Sequence, residues 1–176
     1  MTDGSPVRIV DLSARGRERA LPVLIDSFVG IYRWHAKRTL RDVTLVRGAE
    51  VGGELGGVAL LELLTPEVGY VYYIAVAPRH RRSGVGGTLL EDAMRLFADR
   101  GARIAYAAVE EDNAASLALF RSRLFRRIGR GETNYKEGGL GAWGLRSRMR
   151  LVWGEVLLGR WVDATRATSE REAPSS

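Results

Sequence analysis

The chain has 176 residues, a formal net charge of +6 and an isoelectric point near 10.1, and its length is typical of a single domain. It contains no cysteine and only two histidines, His35 and His80, which excludes disulfides and a thiol nucleophile, so we expect no metal site. The basic balance favours an anionic ligand or partner. The arginines are spread along the chain without a nucleic-acid-binding signature, which argues against nucleic acid.

The composition also bears on the compartment. No apolar run approaches about 18 residues, and residues 1–6, which we predict to be flexible, lack the regions of a signal peptide. We therefore expect a cytoplasmic protein without a transmembrane segment. Of 27 basic residues only Lys37 and Lys136 are lysine, which leaves 25 arginines, and glutamine is absent. Such a composition hints at a thermophile, although a GC-rich genome gives the same arginine bias.

The first part of the chain predicts a strand, one or two helices and a hairpin. Val7 to Leu12 alternates between apolar and polar residues as a strand does. Strands over 43–47 and 57–63 are separated by a turn near Gly52 and Gly53, which predicts a hairpin. Between the first strand and this hairpin, apolar residues recur at helical spacing. The residues on that stripe are Leu21, Leu24, Phe28, Ile31 and His35, and we expect His35 to be packed rather than catalytic.

The next stretch predicts a central strand that leads into an anion site. Val71 to Ala77 is apolar or aromatic at every position, as in a strand covered on both faces, and Pro78 ends the ladder. A basic, glycine-containing loop and a helix closed by Gly101 follow. Backbone N–H groups at such a helix start point outward and bind phosphate, although glycine loops also simply connect strands to helices. The loop residues are Arg81, Arg82, Ser83, Gly84, Val85, Gly86 and Gly87. The face of the helix after them consists of Val85, Leu89, Ala93 and Phe97.

The remaining chain predicts two more strands and two more helices. Residues 103–109 form a strand pattern, and Asn113 is suited to cap a helix over 114–125. Residues 126–136 predict a late strand, and 164–176 predict a disordered tail. On the asparagine-capped helix we expect Leu117, Phe120 and Leu124 to face the core.

A helical extension is predicted over 138–163. The residues at helical spacing there are Leu145, Met149, Val152, Trp153, Val156 and Trp161. We expect this helix to dock on the sheet. A homodimer contact and a helix lying at a membrane surface are the alternatives.

This order of elements gives an α/β fold, a mixed sheet flanked by helices, and two motifs in it resemble the GNAT superfamily of acyl-CoA N-acetyltransferases. Arg81-x-x-Gly84-x-Gly86, following Val76-Ala-Pro78, is similar to the R/Q-x-x-G-x-G/A loop after the family's fourth strand. Residues 113–120 resemble the asparagine-led helix that flanks the pantetheine arm. On this resemblance the GNAT-like domain spans 7–137.

The resemblance implies acetyl-CoA as co-substrate, held in a V-shaped opening between the fourth and fifth strands, without a metal. Backbone groups of Ile74 to Val76 would pair with the pantetheine amides as an added strand does. The N–H groups of residues 81–87 would hold the pyrophosphate, with charge supplied by Arg81 and Arg82. Asn113 would bond pantetheine, and Phe120 lies on the same helix.

Within the superfamily the nearest resemblance is to ribosomal-protein alanine and other protein N-terminal acetyltransferases. Those enzymes commonly carry a tyrosine acid where this chain has Phe120 and a glutamate base where it has Ala108. Glu110 shares strand parity with Ala108, and Tyr72 lies on the cofactor strand, so we nominate these two as base and acid. The alternatives are Glu62 as base and Tyr73, Tyr106 or Tyr135 as acid.

The predicted function is acetyl transfer from acetyl-CoA to a primary amine, either a protein N-terminus or a small amine, by direct attack on the thioester. A catalytically weak acyl-CoA sensor is the alternative, motivated by Phe120 and Ala108. A third hypothesis is binding of nucleic acid or an anionic surface through the basic C-terminal helix.

Overall fold

The computed structural model describes residues 6–129, 149 and 154–162. The strands are β1 (Val7–Asp11), β2 (Leu45–Val51), β3 (Glu54–Thr65), β4 (Val68–Val76), β5 (Ile104–Glu110), β6 (Arg126–Arg127) and β7 (Glu155–Trp161). The α-helices in this part of the chain are α1 (Ala20–Ser27), α2 (Gly30–Asp42), α3 (Val85–Asp99) and α4 (Ala114–Ser122). The described strands form one seven-stranded mixed sheet in the order β1-β2-β3-β4-β5-β7-β6, which confirms the predicted α/β architecture.

Contacts divide the chain into two compact units. The first consists of Met1–Glu62 and Val71–Ala93, and the second of Leu63–Tyr70 and Met94–Ser176. Within the described segments, no helix is both long and apolar enough to cross a bilayer.

The first unit is built on the antiparallel strands β1, β2 and β3. Val7 lies opposite Val51, and Leu45 lies opposite Leu61. Gly52 and Gly53 both have positive φ, at 59° and 86°, which the tight turn between twisted antiparallel strands requires. The predicted hairpin is therefore confirmed.

Two helices, rather than one, follow β1, because the chain is extended at Phe28 and Val29. Leu24 and Leu40 are buried in the core of the first unit. Ile31, expected on the buried stripe, is instead 67% exposed. The break between the helices explains this difference, because it resets the helical phase. His35 is half-buried, with its ring edge-on to Trp34 at a centroid distance of 4.9 Å.

Helix α3 has the predicted buried face and the predicted C-terminal glycine. Val85, Leu89, Ala93 and Phe97 are each at most 1% exposed. Gly101, with φ 85°, donates from its N–H to the Ala98 carbonyl, and the Ala102 N–H donates to the Phe97 carbonyl. These two bonds form a Schellman motif, which ends the helix where the sequence indicates.

The second unit contradicts the predicted C-terminal helix. Glu155–Trp161 is strand β7, which pairs antiparallel with β5 from Ile104↔Trp161 to Glu110↔Glu155. Val156 and Trp161, predicted to lie on a helical face, are thus strand residues, and the sheet extends past residue 137. Leu157, Leu158 and Gly159 are buried, and short apolar runs do not distinguish a buried strand from a helix. Leu145, Val152 and Trp153 lie outside the described residues.

The end of α4 also differs from the prediction. The helix stops at Ser122, and Leu124, expected in the core, is 76% exposed with φ 64°. The left-handed backbone turns its side chain off the face on which Phe120 is buried. The late strand is present as β6 at Arg126–Arg127. Residues 130–136, the tail at 164–176 and residues 1–5 lie outside the described residues.

Candidate active site

The loop from Arg81 to Gly87, called here the Arg81–Gly87 loop, joins β4 to α3 and has the geometry of an anion site. Residues 81–84 are exposed, whereas Val85 is 1% exposed and begins the helix. Arg82 and Gly84 have φ of 60° and 87°, and no atom lies within 4 Å of a Cβ added at Gly84. The N–H groups of a first helical turn have no carbonyl four residues earlier within the helix. Left-handed positions beside such N–H groups form concavities that bind phosphate.

Contacts that the sequence did not reveal fasten residues 77–80, which come directly before this loop, to strand β3. The Ala77 N–H donates to the Gly56 carbonyl at 2.9 Å, and the His80 ring lies over Gly56, where an added Cβ would be 3.0 Å from its Cδ2. Arg79 donates to His80 Nε2 at 3.2 Å and pairs with Glu54 at 2.5 Å. Only Gly56 hinted at this contact in the sequence, since a glycine within a strand often marks a close approach.

The end of β4 is where the predicted cofactor strand meets the loop. Ile74 and Val76 are half-buried. The Val76 carbonyl accepts hydrogen bonds from Ser27 Oγ and from Arg81 Nε, both at 3.3 Å. Ser83 Oγ donates to the His80 carbonyl at 2.6 Å. The structure thus brings Val76 and Arg81 together.

The asparagine helix lies in the second unit. Asn113 Oδ1 accepts from the Ser116 N–H at 3.0 Å, which confirms the predicted N-cap. That cap uses the side-chain oxygen, and the amide NH₂ of an asparagine carries two further N–H donors. Phe120, on the same helix, is 5% exposed and packs as a core residue.

The two candidate bases differ in how their carboxylates are engaged. The carboxylate of Glu62 accepts two hydrogen bonds from Thr44. The Thr44 N–H donates to Oε2 at 2.8 Å, and the Thr44 hydroxyl donates to Oε1 at 2.9 Å. Glu110 is half-buried at the end of β5, and the strand register places Glu155 directly opposite. Of the two candidates, Glu62 is thus the one with both carboxylate oxygens engaged by a neighbouring residue.

The candidate acids also separate by environment. Tyr106 is 2% exposed, and its ring would lie 2.9 Å from a Cβ added at Gly159, so it acts in packing. Tyr73 is half-buried and packs edge-on against Phe28, with ring centroids 5.2 Å apart. Tyr72 is half-buried at the margin of the first unit's core. Tyr135 lies outside the described residues.

Comparison with known proteins identifies the family of this chain. Residues 15–124 match the model of the Acetyltransferase (GNAT) family, so the chain belongs to that family. It is 33% identical, over 151 residues, to the N-alpha-acetyltransferase RimI of Mycobacterium tuberculosis, a match that covers 82% of this chain and 94% of that protein. Family and relative together make the chain an N-acetyltransferase.

Solved structures share the fold. The ribosomal-protein-S18-alanine N-acetyltransferase from Escherichia coli has a TM-score of 0.65 at 20% identity, covering 90% of this chain and 95% of that one. A GNAT family acetyltransferase from Elizabethkingia anophelis with acetyl-CoA bound has a TM-score of 0.65 at 18% identity, covering 88% and 97%. At these identities the likeness shows the fold alone.

Proposed function

We propose that this chain transfers the acetyl group of acetyl-CoA to the α-amine of a protein or peptide N-terminus. The observation that carries the proposal is the open, glycine-centred geometry of the Arg81–Gly87 loop at the start of α3. The acceptor class is supported by the relative named an N-alpha-acetyltransferase. A small primary amine is a second acceptor with the same chemistry.

The loop fits the pyrophosphate of CoA. The space beside Gly84 that a Cβ would occupy is open, so phosphate oxygens can approach the N–H groups of Val85, Gly86 and Gly87. The helix terminus contributes about 0.3–1 kcal/mol towards an anion. The exposed side chains of Arg81 and Arg82 add charge-assisted contacts.

Within the first unit, Arg81 connects both parts of the proposed cofactor site, namely the loop for the pyrophosphate and the end of β4 for the pantetheine arm. Its Nε donates to the Val76 carbonyl, which is the group proposed to pair with a pantetheine amide. A pyrophosphate would draw the guanidinium away and free one lone pair of that carbonyl, while Ser27 keeps the other.

Asn113 is proposed to bond the pantetheine arm through its amide NH₂.

In the proposed reaction a neutral amine attacks the thioester carbonyl carbon, so that a C–N bond forms and the C–S bond breaks. An α-amine with a pKa of about 8 is roughly a tenth neutral at pH 7, whereas a lysine amine, with a pKa near 10.4, costs about 3 kcal/mol more to deprotonate. Glu110 would take the ammonium proton, directly or through water, and Tyr72 would protonate the departing thiolate. A weak base such as Glu110 suffices for an α-amine.

Release of CoA thiol from acetyl-CoA in the presence of peptides tests this proposal. We expect turnover with a free N-terminal α-amine and loss of turnover when the same peptide is N-formylated but keeps an internal lysine. Glu110→Gln should lower kcat by about 10²-fold or more. Glu111→Gln, at an exposed neighbour paired with Arg127, should leave kcat close to that of the parent chain. Binding of acetyl-CoA without turnover on any peptide or small amine would contradict the proposal and favour the acyl-CoA sensor.

A further inference from the structure

Helix α3 carries a buried carboxylate, Asp92, about two turns after its first residue, Val85. Asp92 is 8% exposed and lies on the same helical face as Val85 and Leu89, which are at most 1% exposed. A carboxylate on a buried apolar face is costly unless it is paired. The ion pair of Asp92 therefore affects the position of helix α3.

Arg47 on β2 supplies that pair. Its Nε donates to Asp92 Oδ2 at 2.7 Å and its Nη2 donates to Oδ1 at 3.2 Å, which is a bidentate fork. Arg47 Nη1 also lies 3.3 Å from Asp11 Oδ2 on β1. The hydrogen bond to Asp92 raises the pKa of Arg47 above its ordinary value, against the opposing effect of burial, so the guanidinium stays charged.

A second contact brings the same face of α3 close to strand β3. A Cβ added at Gly57 would lie 2.7 Å from Val85 Cγ1 and 3.0 Å from Leu89 Cδ1. Glycine thus allows the helix to approach the strand more closely than another residue would permit. This contact sets the distance between α3 and β3. The fork between Arg47 and Asp92 restricts the rotation and sliding of the helix, because a bidentate pair tolerates a narrow range of geometry.

We infer that Arg47 is a positioning residue for acetyl-CoA. Through its ion pair with Asp92, Arg47 fixes the position of α3. The helix in turn presents the N–H groups of Val85, Gly86 and Gly87 to the pyrophosphate. This inference rests on the proposed function. Asp92 lies about 10 Å along the helix from Val85, at about 1.5 Å per residue, so Arg47 acts through the helix. The Thr88 N–H donates to the Gly84 carbonyl at 3.0 Å, which ties the glycine directly before α3 to the helix that Arg47 holds.

Removal of Arg47 leaves Asp92 buried without its fork. Helix α3 then loses the bidentate contact that restricts its rotation and sliding, and its first turn moves with the rest of the helix. A displacement of about 1 Å in a binding group can cost about 10²-fold in rate or affinity. The loss would fall on cofactor binding, because the acceptor is not held by this turn.

The test compares KM for acetyl-CoA, kcat, the Kd of CoA and Tm in Arg47→Met, Arg47→Lys and the double variant Arg47→Met with Asp92→Leu. We expect Arg47→Met to raise both KM and Kd by about tenfold or more, with kcat changed far less. Arg47→Lys should give a smaller rise, since it keeps the charge and loses the fork. The double variant should recover Tm, because apolar pairs replace buried ion pairs well, yet keep the raised KM.

Arg19→Met is the matched control. Arg19 pairs at 2.6 Å with Glu50, a carboxylate that is 7% exposed on β2, so its loss should lower Tm without changing KM for acetyl-CoA. If Arg47→Met and the double variant likewise leave KM and Kd within about twofold of the parent, the positioning role is overturned while the proposed function stands. A parent chain that neither binds CoA nor consumes acetyl-CoA overturns the proposed function and this inference together.

Discussion

Phe120 packs edge-to-face against Phe125, with ring centroids 5.1 Å apart and an interplanar angle of 79°. The two side chains are 5% and 3% exposed, and the Phe125 N–H donates to the Phe120 carbonyl at 3.1 Å across the end of α4. The position at which the family resemblance led us to expect a phenolic acid therefore holds a core aromatic pair. Catalysis in this chain has to manage without a proton from residue 120.

Phe120→Tyr tests that statement. A hydroxyl added to this buried ring lowers the free energy of unfolding by about 1–3 kcal/mol if it finds no partner. We expect kcat to change by less than about tenfold, below the 10²–10⁴-fold typical of general acid catalysis. Phe125→Tyr, on the other ring of the pair, is the control for the stability cost. A hundredfold rise in kcat for Phe120→Tyr alone would instead indicate a binding module that has lost its acid.

Gly84→Ala tests the need for a left-handed residue in the Arg81–Gly87 loop. With φ at 87° and open space around the Cβ position, the substitution strains the backbone by about 1–2 kcal/mol without a steric clash. We expect a rise in KM for acetyl-CoA of about tenfold, since each 1.4 kcal/mol is worth that factor. Gly53→Ala, at φ 86° in the β2–β3 turn with equally open space, should cost similar stability and leave KM unchanged. An equal KM for both variants would argue against the loop as the anion site.

Leu124→Gly should stabilise the chain. Leu124 occupies the left-handed C′ position of α4, where its N–H bonds the Arg121 carbonyl, and its side chain is 76% exposed. Glycine relieves about 1–2 kcal/mol of backbone strain there, and little packing is lost. Ala118→Gly, at an exposed position inside the same helix, should destabilise by about 1 kcal/mol. Chemical denaturation measures both, and a loss of stability in Leu124→Gly would show that the leucine makes contacts worth more than the strain.

Glu50 should make the stability of the first unit sensitive to acid. Hydrogen bonds from Arg19, and then from Arg8, lower its pKa below the ordinary glutamate value, against the opposing effect of desolvation. A depressed folded pKa means that the contribution of Glu50 is fully present above the unfolded pKa and is lost as the pH falls through the folded pKa. Glu50→Gln should therefore flatten the acid limb of the unfolding free energy against pH. The control Glu18→Gln, at an exposed site beside Arg19, should keep the parent's slope, and an unchanged slope in Glu50→Gln would contradict the linkage.

The parts of the fold that rest on short-range signals could be predicted from the sequence. The cap at Asn113, the glycine ending α3 at Gly101 and the turn at Gly52 and Gly53 each depend on residues within a few positions, and all three are present. The position of the Arg81–Gly87 loop at the start of a helix could also be predicted, because glycines and a following apolar periodicity are local features.

The parts that depend on distant partners could not be predicted in the same way. Val156 and Trp161 keep helical spacing, which predicts a helix where strand β7 lies, and the pairing of β7 with β5 leaves no local signal in the sequence. Arg47 and Asp92 are separated by 45 residues, and neither belongs to a motif. The exposed positions of Ile31 and Leu124 depend on where each helix breaks, and helix boundaries are the least certain part of a periodic pattern.

The most direct test of the proposed cofactor site is a crystal structure of this chain with CoA bound. We predict pyrophosphate oxygens within about 3.2 Å of the backbone nitrogens of Val85, Gly86 and Gly87, with the Arg81 guanidinium moved off the Val76 carbonyl. A CoA molecule whose pyrophosphate lies elsewhere, while Arg81 still donates to Val76, would contradict the assignment of this loop.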